Sequence, residues 1–206
     1  MREYTAPDPK SPSLVLAHGA GSGEQHPWMV RVAKGLAARG VHVVTFNFAY
    51  MDAGKNVPDR AEILEKAYAD AWTTLTAGRS GPLFAGGKSM GGRIASQVAA
   101  GKGFAPPPAG LVFFGYPLHP PGKPQQRRDK HLPDITPPML FFHGARDPFG
   151  SPDEMTELAN RLSGSTLHIV EGGDHSLMTR KKVEPGGDAL DKVMDQAAEW
   201  MRRVLY

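Results

Sequence analysis

The order of short apolar runs and longer amphipathic segments constrains the fold of this chain more than any other feature. Six runs of four to six residues are mostly apolar, alternate little with polar residues and lie close to glycine or proline. Runs of this kind are typical of strands buried on both faces, as in a parallel sheet. The predicted strands are Ser13–Ala17, Val41–Phe46, Pro82–Ala85, Gly110–Phe114, Met139–Phe142 and Thr166–Val170.

Most of these runs are separated by segments whose apolar residues recur at helical spacing. The clearest segment, Asp59–Ala77, follows a proline, and Asp59 and Glu62 have the spacing of a capping box. Repeated strand–helix units with right-handed crossovers predict an α/β fold, a three-layer α/β/α sandwich around a mostly parallel, doubly wound sheet of about six to seven strands. The predicted helices are Trp28–Ala38, Asp59–Ala77, Met90–Ala100, Pro152–Leu162, which Ser151 caps, and Asp188–Leu205.

One long segment interrupts this alternation where another helix is expected. Tyr116–Pro138 contains seven prolines, which predicts that much of it is loop. A length of 206 residues suits one domain, and we predict a single domain over residues 1–206.

Composition excludes several classes of chemistry. The chain has no cysteine, so disulfides, thiol nucleophiles, cysteine-bound zinc and iron–sulfur clusters are excluded. No histidine pair has the H-E-x-x-H spacing and carboxylates do not cluster around the histidines, so we predict neither a metal site nor a cofactor.

Charge and hydropathy indicate the expected surroundings. The formal net charge is only +3, and no basic stripe with aromatic residues is present, so we expect no nucleic-acid partner. The basic segments Lys123–Lys130 and Arg180–Lys182 are interpreted as solvated loops. The densest apolar stretch, Gly110–Leu118, is too short to span a bilayer, and the first residues lack a secretory h-region, so we expect a cytoplasmic protein with no membrane partner.

The candidate nucleophile is a serine directly after the third predicted strand. Within Gly86–Gly92 (GGKSMGG), Ser89 stands at the centre of a G-x-S-x-G motif. This motif forms a sharp turn from strand to helix that exposes the serine hydroxyl, and its small residues let neighbouring backbones pass close by. The same stretch contains Gly-Lys-Ser, but a phosphate-binding P-loop would need glycine where Pro82 stands.

Two further residues follow later predicted strands in the order that this chemistry requires. Asp147 follows the Met139–Phe142 strand, and His175 follows the last strand. A serine hydroxyl needs a base to remove its proton, and the base needs an acid to orient it. In a doubly wound sheet the loops after the strands lie at one edge, so we predict that Ser89, Asp147 and His175 form a catalytic triad.

Backbone donors for an oxyanion are predicted from the glycine-rich stretch His18–Gly23 (HGAGSG), after the first predicted strand. We assign one donor to the N–H of Ala20, with Gly21 as its alternative and as a substrate-binding residue, and the other to Met90. Further residues after strand ends are predicted to line the acyl or alcohol pocket, with loop packing as an equally plausible interpretation. These residues are Tyr50, Tyr116 and His119.

Taken together, these stretches resemble the α/β-hydrolase superfamily over nearly the whole chain. More narrowly, the chain resembles small, lidless hydrolases related to dienelactone hydrolases, a group with KANSL-type and testis-expressed relatives in eukaryotes. The narrower resemblance is carried by HGAGSG at 18–23, FNFAYMDAG at 46–54, GGKSMGGR at 86–93, GYPLHPPGKP at 115–124, ARDPFG at 145–150 and GGDHSL at 172–177.

The resemblance implies a serine hydrolase of carboxylesterase type, with Ser89, Asp147 and His175 as its catalytic residues. Dienelactone hydrolase itself has a cysteine nucleophile, so its lactone specificity is not carried over. Only the proline-rich loop stands where the superfamily often inserts a lid, which implies an open site for small or surface-accessible esters. Two alternatives stay open: a non-catalytic interaction module on a hydrolase scaffold, and an acyltransferase or thioesterase with the same triad.

Overall fold

A computed structural model describes residues 1–180 and 187–204 of the chain. It contains one seven-stranded sheet with helices on both faces, so the predicted fold class is confirmed. The strands are β1 (Arg2–Tyr4), β2 (Ser13–Ala17), β3 (His42–Phe46), β4 (Leu83–Lys88), β5 (Gly110–Phe114), β6 (Met139–Gly144) and β7 (Ser165–Val170). The helices are α1 (Pro27–Ala38), α2 (Ala49–Asp52), α3 (Ala61–Thr76), α4 (Met90–Ala100), α5 (Pro152–Arg161) and α6 (Ala189–Arg203).

The strand order across the sheet is β1-β3-β2-β4-β5-β6-β7. All neighbouring pairs are parallel except β1 with β3, which is antiparallel. Helices α1 and α6 pack on one face, and α3, α4 and α5 pack on the other. Because β2, β4, β5, β6 and β7 run in the same direction, the loops after these strands emerge at one edge of the sheet.

The proline-rich segment 116–138 is largely loop, as predicted. Its one element is a single turn of 3₁₀ helix at Leu132–Asp134. No additional domain therefore covers this edge of the sheet within the described residues.

One local prediction is wrong, and two elements, β1 and α2, have no counterpart among the predicted elements. β1 was not predicted, because its residues are polar and its strand character comes from pairing with β3 rather than from burial. The capping box at Asp59 and Glu62 is absent, because α3 begins at Ala61 and its N-cap residue is Arg60, whose side chain makes no capping bond. The predicted cap of α5 is confirmed: Ser151 accepts from the N–H of Glu154.

Some predicted features fall outside the described residues. These are Lys181 and Lys182 of the second basic segment, and Leu205 at the end of the last predicted helix. Among the described residues, no helix is both long enough and apolar enough to cross a bilayer.

Candidate active site

Ser89 lies at the sharp turn between β4 and α4, in a backbone conformation that few residues other than glycine adopt. Its φ is 50° and its ψ is −116°, a strained combination typical of a nucleophile held above a sheet. The glycines around it are required by close backbone packing. A Cβ atom on Gly87 would lie 2.5 Å from the carbonyl carbon of Gly91, and one on Gly91 would lie 2.5 Å from the carbonyl oxygen of Ala17.

The structure brings Ser89, His175 and Asp147 together by direct hydrogen bonds. The Ser89 Oγ is 2.8 Å from Nε2 of His175, and Nδ1 of the same ring is 2.7 Å from Oδ2 of Asp147. A carboxylate only accepts hydrogen bonds, so Nδ1 carries the proton and donates to Asp147. Nε2 is then free to accept from the serine hydroxyl, which is the arrangement that a general base requires.

Asp147 is held as a carboxylate although it is only 5% exposed. Burial raises the pKa of this carboxyl group, but the hydrogen bond and charge of His175 and the hydrogen bond from the Phe149 N–H outweigh burial, so its pKa is lowered overall. The Phe149 N–H donates to Oδ1 at 2.9 Å. Each carboxylate oxygen therefore has its own donor, and Oδ2 stays aligned with the imidazole.

A cleft of about 420 Å³ opens beside Ser89 and His175. Gly19, Ala20 and Gly21 line it, and Met90, as the first residue of α4, has an N–H with no acceptor inside the helix. The glycine-rich loop therefore lies beside the serine, and the start of α4 follows the serine directly.

His18 fixes the start of this glycine-rich loop. Its Nδ1–H donates to the carbonyl of Gly19 at 2.8 Å, and its Nε2 accepts from the N–H of Phe48 at 3.1 Å. This pair of bonds requires the neutral imidazole, and burial lowers the pKa of His18, which favours that form.

Comparison with known proteins identifies the family of this chain. The family profile described as an alpha/beta hydrolase domain matches residues 10–205. The chain belongs to the alpha/beta hydrolase family. The narrower relationship to the KANSL-type group stays a prediction.

Solved structures similar to this hydrolase domain include two enzymes and a lidless homologue. Est1E from Butyrivibrio proteoclasticus, with ferulic acid bound, has a TM-score of 0.77 at 14% identity, over 99% of this chain and 94% of that one. A dienelactone hydrolase from Anabaena variabilis has a TM-score of 0.73 at 22% identity, over 96% and 88%. A serine hydrolase without a lid from Xanthomonas campestris has a TM-score of 0.68 at 16% identity, over 98% and 85%. At these identities the likeness shows the shared fold.

Three residues predicted to line the substrate pocket of this hydrolase lie in packed surroundings, and none of them lines the cleft beside Ser89. Tyr50 is 1% exposed and packs edge-on against His18. Tyr116 is buried and donates its hydroxyl hydrogen to the carbonyl of Arg128. His119 is also buried, and its Nε2 lies 3.3 Å from Oε2 of Glu154. These positions correspond to the loop-packing interpretation, whereas Gly21 does line the cleft.

Three side chains that the sequence analysis did not select surround the histidine. Phe149 packs on the imidazole, with ring centroids 4.3 Å apart. Lys88 donates from Nζ to the carbonyl of His175 at 2.6 Å, and Trp28 donates from Nε1 to the carbonyl of Ser176 at 2.9 Å. The only sequence signal for Lys88 is its position directly before Ser89 within the motif.

Within residues 1–180 and 187–204, no group of three or more potential metal ligands comes together.

Proposed function

We propose that this hydrolase domain is a carboxylesterase-type serine hydrolase that cleaves small or surface-accessible esters through an acyl-enzyme on Ser89. The observation that carries the proposal is the position of His175, whose two ring nitrogens lie 2.8 Å from the Ser89 Oγ and 2.7 Å from Asp147 Oδ2. A serine, a base and an orienting acid in this sequence of bonds activate the hydroxyl for acyl transfer.

In the proposed first step, Ser89 Oγ attacks the ester carbonyl while Nε2 of His175 takes its proton. Asp147 stabilises the resulting imidazolium and keeps the ring in its tautomer. The backbone N–H groups of Ala20 and Met90 donate to the oxyanion, and each donor of this kind contributes on the order of 10²–10³ in rate. His175 then protonates the departing alcohol, and a water molecule, activated by the same histidine, releases the acid.

A second serine–histidine pair in the fold shows what an inactive arrangement looks like. Ser96 Oγ lies 2.7 Å from Nε2 of His131, but its hydroxyl donates to the carbonyl of Arg93 at 2.6 Å. A hydroxyl has one hydrogen to donate, so His131 must donate to Ser96 rather than take its proton. Ser96 is also fully buried, so it cannot meet a substrate.

The size of the substrate is inferred from the loops that surround the cleft beside Ser89. The proline-rich loop stands where a lid domain would stand, and the cleft lies against Trp28, Phe149 and the glycine-rich loop. Support comes from the similar structures, which include an esterase domain from a Rhodothermus marinus protein. We therefore propose small or surface-accessible esters as substrates.

The test compares hydrolysis of 4-nitrophenyl acetate and butyrate by the wild type, Ser89→Ala and Ser96→Ala. We expect Ser89→Ala to lose at least about 10³-fold in kcat, because the nucleophile is gone. The matched control Ser96→Ala should keep kcat per folded molecule within about twofold, although it leaves a buried donor on His131 and loses about 1–3 kcal/mol of stability.

If Ser89→Ala retains turnover, the nucleophile is a residue other than Ser89. A folded wild type without turnover on these esters would favour the interaction-module alternative, and a thioester cleaved faster than its matched oxygen ester would favour the thioesterase.

A further inference from the structure

We propose that Lys88 is a positioning residue for the base of this site: its side chain holds the backbone carbonyl of His175 and so keeps the imidazole between Ser89 and Asp147. The inference rests on the proposed function, because it assigns a role in the same reaction. It concerns a residue that touches the backbone of the base and is not part of the triad.

The contact joins two loops through a single hydrogen bond. Lys88 is the last residue of β4, directly before the serine, and its Nζ donates to the carbonyl oxygen of His175 at 2.6 Å. Among the described residues, no other group donates to that carbonyl. Two consecutive residues, Lys88 and Ser89, therefore both bond to His175, the first at its backbone carbonyl and the second at its imidazole.

The immediate surroundings are built to admit this bond. Gly115, at the end of β5, has a φ of +68°, and a Cβ atom there would lie 2.7 Å from the carbonyl oxygen of His175 and 3.4 Å from Nζ of Lys88. Any larger residue at position 115 would push the carbonyl and the ammonium apart. The glycine leaves the space in which they meet.

Burial of this lysine is costly, so its position needs an explanation other than stability. Lys88 is only 8% exposed, and a buried ammonium loses hydration that an apolar side chain of equal length would not require. Part of the loss is offset by the ring of Trp28, whose centroid lies 5.8 Å from Nζ. The remaining compensation comes from the His175 carbonyl and from nearby carboxylates.

Other hydrogen bonds also fix the backbone of the histidine loop, residues 172–178, but they involve the residues on either side of His175. Trp28 holds the carbonyl of Ser176, and the carboxylate of Asp174 accepts from the N–H groups of Ser176 and Met178. The backbone carbonyl of His175 accepts from Lys88, whereas Asp147 and Phe149 contact its ring. Because the serine bond is 2.8 Å long, a backbone shift of about 1 Å is enough to break it, and misplacements of that size cost about 10²-fold in rate.

Because Lys88 can lose its proton, we expect the activity to depend on pH. Burial lowers the pKa of Lys88 to about 8, although the charges of Asp147 and Asp174 raise it. The other titratable side chains around the same cleft are His175 and His26. Below about pH 8 the bond to the carbonyl is charge-assisted; above it the neutral amine donates more weakly. Activity that depends on this bond should therefore fall as pH rises through that value.

The experiment uses Lys88→Met and Lys88→Arg in the full chain, with the exposed Lys66→Met as a matched control. Lys66 is exposed and pairs with Asp70 on the surface of α3. Two readouts are measured: kcat and KM on 4-nitrophenyl acetate, and the low-field proton NMR signal of the Nδ1–H that His175 donates to Asp147. The NMR signal does not require turnover.

For Lys88→Met we expect kcat to fall about 10- to 100-fold with KM within about twofold, and the low-field signal to broaden or disappear. Lys88→Arg retains a charged donor, so it should recover more of kcat than methionine and show no decline in kcat from about pH 7 to about pH 10, because a guanidinium stays charged there. Lys66→Met should behave as the wild type does.

A Lys88→Met protein with kcat within twofold of the wild type and an unchanged low-field signal would overturn the inference. If Lys88→Met does not fold, Lys88→Gln takes its place with the same two readouts, and a kcat within twofold of the wild type together with an unchanged low-field signal would overturn the inference. Failure of the proposed function has a different signature, which is a wild type with no ester turnover. The low-field signals of the wild type and Lys88→Met still decide the positioning role in that case.

Discussion

The nucleophile turn, residues 86–92, and the histidine loop, residues 172–178, meet at one hydrogen bond but are held in different ways. Backbone packing holds the turn: Gly87 and Gly91 bring three chain segments into contact, and no Cβ atom fits there. Backbone hydrogen bonds hold the ends of the histidine loop, whereas side chains, Lys88 and Trp28, bond to the carbonyls of His175 and Ser176 in its middle. The serine is thus positioned by backbone packing, whereas the base depends in addition on side-chain bonds that substitution can remove singly.

Because of this difference, we expect substitutions in the nucleophile turn to change stability and substitutions around the histidine to change activity. Changes in the turn place atoms where backbone already lies, so they act on folding. Changes around the histidine remove individual bonds near the surface of the sheet, so they act on the alignment of the base and leave most of the core unchanged. Three substitutions test this separation.

The largest effect is expected on the histidine side, at Asp147→Asn. An asparagine cannot hold the imidazole in its tautomer or stabilise the imidazolium, so we expect kcat to fall about 10³–10⁴-fold while the melting temperature changes little. The matched control is Asp70→Asn, an exposed carboxylate on α3 whose partner is Lys66, and it should keep kcat at the wild-type value. If the kcat of Asp147→Asn stays within tenfold of the wild-type value in steady-state assays, the base does not depend on Asp147, and the comparison fails for the histidine loop.

The next effect is expected on the turn side, at Gly86→Ala. A methyl group at position 86 would collide with the carbonyl oxygen of Val112 on the neighbouring strand, so we expect a loss of at least about 3 kcal/mol in the free energy of unfolding. Gly101→Ala is the control, because its Cβ has its nearest neighbour at 3.4 Å and its φ is −75°. Equal denaturant midpoints for the two variants would mean that backbone packing does not hold the turn.

The smallest effect is expected at Trp28→Phe. Phenylalanine keeps an aromatic ring below Lys88 but removes the Nε1 donor to Ser176, so kcat should fall about three- to tenfold and stability should change by about 1 kcal/mol or less. Steady-state kinetics and thermal melting on the same samples check this. A larger loss of kcat than in Lys88→Met would make Trp28 the main contact that positions the loop.

The sheet and the meeting of Ser89, Asp147 and His175 could be predicted from sequence because each rests on a local pattern. Apolar runs mark the buried strands, and the carboxyl ends of parallel strands lie at one edge, so residues directly after them come together. Their catalytic roles stay proposals.

The contacts that position the histidine could not be predicted in the same way. Lys88 and the carbonyl of His175 are 87 residues apart in sequence, and the bond depends on the space left by Gly115. No local pattern marks a backbone carbonyl as the partner of a lysine. β1 was missed for a related reason, since pairing with β3 and not its own composition makes it a strand.

The most direct test of the account is to label the folded wild type with a fluorophosphonate and locate the adduct by mass spectrometry of its peptides. The account predicts a single adduct on Ser89, because only that hydroxyl has a base at Nε2 of His175 and an open cleft beside it. An adduct on another serine, or no adduct on a protein shown to be folded, would contradict it.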